Sequence, residues 1–161
     1  MVLKNKNILI TGSYGFIGSN LKKKLNKNNK IINIGHKKST QGKKNSLTIE
    51  NLLKIKRKPD IIFNCIGSGT VSEAQKDKKS SNKNDFLTTK ILVNYINKLQ
   101  KKIILIFFSS AAVYGNHNSK LIPISTYGKN KLKSERYLIN NLNKKNRIII
   151  LRYYSIFGSG L

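Results

Sequence analysis

Three groups of residues have types and spacings suited to chemistry. Tyr127 and Lys131 stand four apart in STYGKNK. On a helix, positions i and i+4 face the same way. An ammonium beside a phenol favours the phenolate, and a tyrosine that yields its proton readily is a usable general base. Taken alone, the pair is a common coincidence in a chain with 28 lysines. Ser110 follows the apolar run KIILIFF, where it could hydrogen-bond a substrate hydroxyl or carbonyl. A serine at the end of a strand also caps backbone, so its position alone does not decide. The third group is TGSYGFIG, with glycines at 12, 15 and 18. Gly12 permits a tight turn, Gly15 a close backbone approach to a pyrophosphate, and Gly18 close helix packing. Amide groups at the start of the following helix, with its dipole, would then meet the phosphates.

These groups need elements to position them. Apolar runs predict strands at Asn7–Thr11, Lys30–Ile34, Asp60–Ile66, Lys102–Phe108 and Arg147–Tyr153, with a short one at Ser46–Ile49. Helical spacing predicts helices over Phe16–Leu25, Phe86–Leu99 and Ser125–Leu142, and a brief one over Asn51–Ile55. The polar stretch Lys76–Asp85 reads as loop or helix entry. Most strands are continuously apolar, as in a parallel sheet covered on both faces. Ligands of such sheets sit beyond the carboxyl ends of the strands, where Gly12, Ser110 and the Tyr127 helix would lie.

Composition sets the outer limits. The chain has 161 residues, with 32 Lys+Arg against 6 Asp+Glu, a formal net charge of +26. Its length suits one domain. No run approaches the roughly 18 apolar residues of a membrane span. No secretory signal pattern precedes KNKNILITGS. The lone Cys65 excludes a disulfide framework and a cysteine-based zinc site, and the scattered acids form no metal cluster, so no metal is expected. The expected setting is soluble, reduced and cytoplasmic. Lys, Asn and Ile number 28, 21 and 23, and all three are favoured by AT-rich coding. The lysines are spread along the chain rather than gathered on one face or tail. Base composition therefore explains the charge better than a nucleic-acid function, and no specific nucleic-acid partner is expected.

Together the motifs resemble the extended short-chain dehydrogenase/reductases, more narrowly the NAD(P)-dependent epimerase/dehydratases of nucleotide sugars. The matching segments run in family order: TGSYGFIG, DIIFNCIG, FFSSAAVYG, PISTYGKNK and LRYYSIFGSG. The resemblance implies a Rossmann-type, doubly wound parallel α/β sheet in the order 3-2-1-4-5-6. It spans residues 1–161 but only the N-terminal half of a typical member, so the expectation is a truncated cofactor domain without the C-terminal substrate domain. It implies cofactor-binding roles for Gly12, Gly15, Phe16, Ile17 and Gly18, and for Ile66 and Gly67 on the adenosine side. It also implies Ser110 as catalytic serine, Tyr127 as catalytic base, and Lys131 as the lysine that binds the nicotinamide ribose and depresses the tyrosine pKa. The implied substrate is a nucleotide sugar. A homodimer through the helices near Tyr127 is implied by resemblance only.

Several positions depart from the family pattern. The second strand runs into Ile34-Gly35-His36-Lys37-Lys38, without the usual ribose-binding acid. That favours a 2′-phosphate near His36, hence NADP over NAD. Where the family often has asparagine, four residues before Thr89, this chain has Asp85, or Asn84 if the register slips by one. The Ser110–Tyr127 interval is short, and Ser155 replaces a usual asparagine. Two rival readings stand beside the enzyme: a remnant that binds NAD(P) without turnover, and a basic module that binds RNA or an acidic partner.

Overall fold

The structure is a computed structural model and describes residues 3–35 and 47–158. In chain order the elements are strand β1 (Asn7–Thr11), helix α1 (Phe16–Leu25), β2 (Lys30–Gly35) and β3 (Leu47–Thr48). A 3₁₀ helix (Ile49–Lys54) and β4 (Ile61–Asn64) follow, then α2 (Val71–Lys76), α3 (Lys78–Asn82) and a π-helical turn (Lys83–Leu87). The rest are α4 (Thr88–Lys98), β5 (Ile104–Ser110), a 3₁₀ turn (Ala111–Val113), α5 (Thr126–Asn141) and β6 (Arg147–Tyr153). The six strands form one sheet in the order β3-β2-β1-β4-β5-β6, with every pairing among the described residues parallel, as the family resemblance implies.

Both faces of the sheet are covered. On one, Leu9, Ile62, Leu105 and Phe107 pack against Leu92 and Ile96 of α4 and Leu138 of α5. On the other, Ile8, Ile10, Ile61 and Phe63 meet Leu21 and Leu25 of α1. Fully burying each such side chain contributes about 1.5–3 kcal/mol. The continuously apolar strands follow directly, since both of their faces are interior. β6 lies at the edge, and Leu151, Tyr154 and Phe157 are exposed along and beyond it.

Of the two readings of the polar stretch Lys76–Asp85, loop or helix entry, the structure shows the helical one, and the helices begin already at Val71. Thr70 and Glu73 form a reciprocal capping box at the start of α2. Asp77 then accepts from the Ser80 amide at 2.9 Å and starts α3. The predicted helix from Phe86 loses its first residues to the π turn. β5 runs two residues past its predicted end, so Ser110 is the last residue of the strand itself. Among the described residues, no helix is long and apolar enough to cross a membrane.

Candidate active site

The glycine-rich turn is fixed from three sides. The Ser13 amide and hydroxyl both donate to the Ile34 carbonyl of β2, at 3.0 and 3.2 Å. Thr11 donates to Asn64 of β4 at 2.6 Å. Gly12 has φ +65°, and a Cβ there would lie 2.8 Å from the Cys65 carbonyl oxygen. A Cβ on Gly18 would collide with the Gly12 carbonyl, so α1 starts directly against the turn. Gly15 is its N-cap and supplies no side-chain cap. The first-turn amides are therefore uncapped by that residue and suited to an anion.

The second half of the site comes from α5. Ser125 caps it, accepting from the Gly128 amide at 3.0 Å. Gly128 lies so close to the Ala112 carbonyl that any side chain would collide. This approach brings Tyr127 to the end of β5, where its hydroxyl interacts with Ser110 and with Tyr153. Lys131, one turn on, is 5.6 Å from the Tyr127 ring centroid, so the pair shares a face as the spacing predicts. Ser110 also accepts from the Ala112 amide at 3.1 Å, which makes it a backbone cap as well as a site residue.

A cavity of about 410 Å³ is lined by Gly12, Gly15, Gly35, Ile66, Gly67 and Asn84. A neighbouring one of about 600 Å³ is lined by Phe16, Ile17, Ser110, Tyr127, Lys131 and Tyr153. Gly12, Gly15, Cys65 and Gly67 border both. One cleft over the carboxyl ends of β1, β4 and β5 thus gathers every site residue named from the sequence except His36. His36 lies outside the described residues.

One expectation is reversed. The Tyr127 phenol is not made more acidic: burial pushes its pKa up, and neighbouring Tyr153 and Asp85 reinforce this against Ser110. Lys131 does not face the phenol alone. Its Nζ is 3.3 Å from Asp85 Oδ1 and donates to the Phe108 carbonyl at 3.1 Å. Both residues of the alternative register, Asp85 and Asn84, lie at the site. Asp85 is buried inside the site, while Asn84 lines the outer cavity.

Sequence reasoning read Tyr153 as packing, but it lines the site. The signal was present in the parallel alignment of KIILIFFSS with RIIILRY, which sets Tyr153 beside Ser110. Arg152 and Glu135 form a structural ion pair. Among the described residues, no group of His, Cys, Asp and Glu could hold a metal ion.

The model of the NAD dependent epimerase/dehydratase family matches residues 8–160. The chain belongs to that family. It is 30% identical to the ADP-L-glycero-D-manno-heptose-6-epimerase of Brachyspira hyodysenteriae, over 94% of this chain and 55% of that one. The UDP-glucuronic acid 4-epimerase of Bacillus cereus, solved with UDP-glucuronic acid and NAD, superposes with a TM-score of 0.77 at 27% identity. That match covers 94% of this chain and 57% of the epimerase. The UDP-N-acetylglucosamine 4-epimerase of Methanobrevibacter ruminantium gives a TM-score of 0.76 at 25% identity, covering 97% and 57%. The chain therefore spans about half the length of the family relatives it matches.

Proposed function

We propose that this chain binds a nicotinamide dinucleotide and takes part in epimerase/dehydratase chemistry on a nucleotide sugar. The observation that carries the reading is the single cleft joining the uncapped, glycine-rich start of α1 to Ser110, Tyr127 and Lys131. A cradle that any Cβ on Gly12 or Gly18 would fill suits a pyrophosphate. The amides of Phe16, Ile17 and Gly18 would hold it, and Ile66 and Gly67 would line the adenosine side. The bound dinucleotide supplies hydride transfer, and the protein supplies orientation and proton movement. Lys131 Nζ would hold the nicotinamide ribose. Ser110 Oγ would fix a sugar hydroxyl, and Tyr127 Oη would exchange a proton with it. Sugar relatives of both ADP and UDP type support a nucleotide-sugar substrate.

The missing carboxylate after β2 supports NADP, whereas a relative is described with NAD. Parallel fluorescence titrations with NADH and NADPH decide between them. A homodimer through the helices near Tyr127 belongs to the same reading and is tested by sedimentation. A chain that binds the dinucleotide without turnover is the second reading.

The deciding experiment is Tyr127→Phe. The enzyme reading expects dinucleotide affinity to persist while turnover on nucleotide sugars falls by about 100-fold or more. A wild-type chain that binds dinucleotide and turns over no nucleotide sugar leaves the binding-only reading. A chain that binds no dinucleotide overturns both.

A further inference from the structure

We propose that Asp85 is a positioning residue, which holds Lys131 in a buried ion pair and through it sets the proton affinity of Tyr127. The proposal rests on the reading of Tyr127 as the proton-transferring group. Asp85 sits in the π turn between α3 and α4, and such turns re-aim side chains at functional sites. Its backbone carbonyl accepts from Thr89 at 2.8 Å and Ser134 at 3.0 Å, which ties the turn to α4 and α5. Its carboxylate accepts from the Ser68 amide at 3.2 Å, the Ser68 hydroxyl at 2.7 Å and the Ser81 hydroxyl at 3.2 Å. Lys131 Nζ completes the set at 3.3 Å, with both side chains almost wholly buried.

The pair lies tight beneath Gly67. A Cβ there would be 2.7 Å from Lys131 Nζ and 2.9 Å from Asp85 Oδ1, so a side chain at 67 would have to displace the pair. A buried charge is tolerable when paired, and this pairing satisfies Lys131 with a carboxylate rather than with a phenolate. A forming tyrosinate meets Lys131 and Asp85 together, as attraction and repulsion. The groups facing Tyr127 are Ser110 at the end of β5, Tyr153 at the end of β6, Lys131 on α5 and Asp85 on the π turn. Lys131 also acts electrostatically on Cys65, after β4. Of these, Asp85 is the one carboxylate, and burial of the phenol acts in the same direction.

Removing its charge while keeping its shape should free Lys131 to stabilise the tyrosinate. The test needs neither dinucleotide nor sugar. Tyrosinate absorbance is followed against pH for the wild-type chain and Asp85→Asn, each subtracted from its own Tyr127→Phe partner. The wild-type difference should stay flat until alkaline unfolding. In Asp85→Asn, Tyr127 should titrate at a pH lower by about 1–3 units. Asp85→Ser, neutral and smaller, should shift the same way, and the charge-preserving Asp85→Glu should not. A Tyr127 titration identical to wild type in a neutral variant that folds overturns the proposal. A chain without turnover leaves this titration intact, so the two failures are separable.

Discussion

Arg152 of β6 grips Glu135 of α5 through three hydrogen bonds, Nε at 3.0 and 3.2 Å and Nη2 at 2.7 Å. The Ser109 hydroxyl also donates to Glu135, and Arg152 Nη1 donates to the Tyr114 hydroxyl at 2.9 Å. The Glu135 side chain is only 1% exposed, so its charge depends on this partner. Arg152→Met should therefore lower the unfolding free energy by about 3–5 kcal/mol, because a carboxylate is left buried and unpaired. Urea denaturation measures this. Adding Glu135→Gln should restore part of the loss, and a fully additive pair would contradict the assignment.

Gly18→Ala tests the cradle. The new methyl collides with the Gly12 carbonyl, so either α1 or the turn must shift. Stability should fall by about 1–3 kcal/mol, as for overpacking elsewhere. NADH affinity, followed by fluorescence, should fall further than stability explains. Wild-type affinity in a folded variant would remove this turn from the binding site.

Acid stability should contain a contribution from Asp60. Desolvation raises its pKa, but the Lys101 ammonium and the Asn7 amide outweigh it, and the folded value lies below the usual 3.8. A depressed folded pKa gives stability that is present above 3.8 and is lost as pH falls through the lower, folded value. Asp60→Asn should lower stability at neutral pH and leave stability below the folded pKa little changed, which flattens that acid limb. Melting temperatures across the acid range would show it.

Cys65 should be slow to alkylate. Burial pushes its thiol pKa up to about 12, opposed by Lys131, so almost no thiolate exists near neutrality. Native protein should react with iodoacetamide at least about 100-fold more slowly than urea-unfolded protein. Equal rates would show that the strand end opens freely.

Much of this was legible in the sequence, for local reasons. The strand–turn–helix of TGSYGFIG is written in adjacent residues, and so are the Tyr127–Lys131 spacing and the apolar strands. Asp85, Tyr153 and the helical character of Val71–Asn82 were harder. Asp85 matters through Lys131, which lies 46 positions away, and its π turn has no periodic signature. Tyr153 becomes a site residue only through its pairing with Ser110 across the sheet. The α2 capping box from Thr70 to Glu73 was readable locally, but the lysine-rich composition around it concealed it. The lowered tyrosine pKa was inferred from one neighbour, and the fold supplies a second of opposite charge.

The exposed flank of β6 has a consequence for handling the protein. Among the described residues β6 is bonded only to β5, and such an edge offers its free donors and acceptors to a second strand, including that of another copy. The net charge of +26 opposes such edge pairing. Salt weakens that repulsion, because the screening distance contracts to about 10 Å at 0.1 M. The lysine excess then acts as a colloidal safeguard, whatever its genomic origin. Light scattering should rise as salt is added, so edge-to-edge association should be least at low ionic strength.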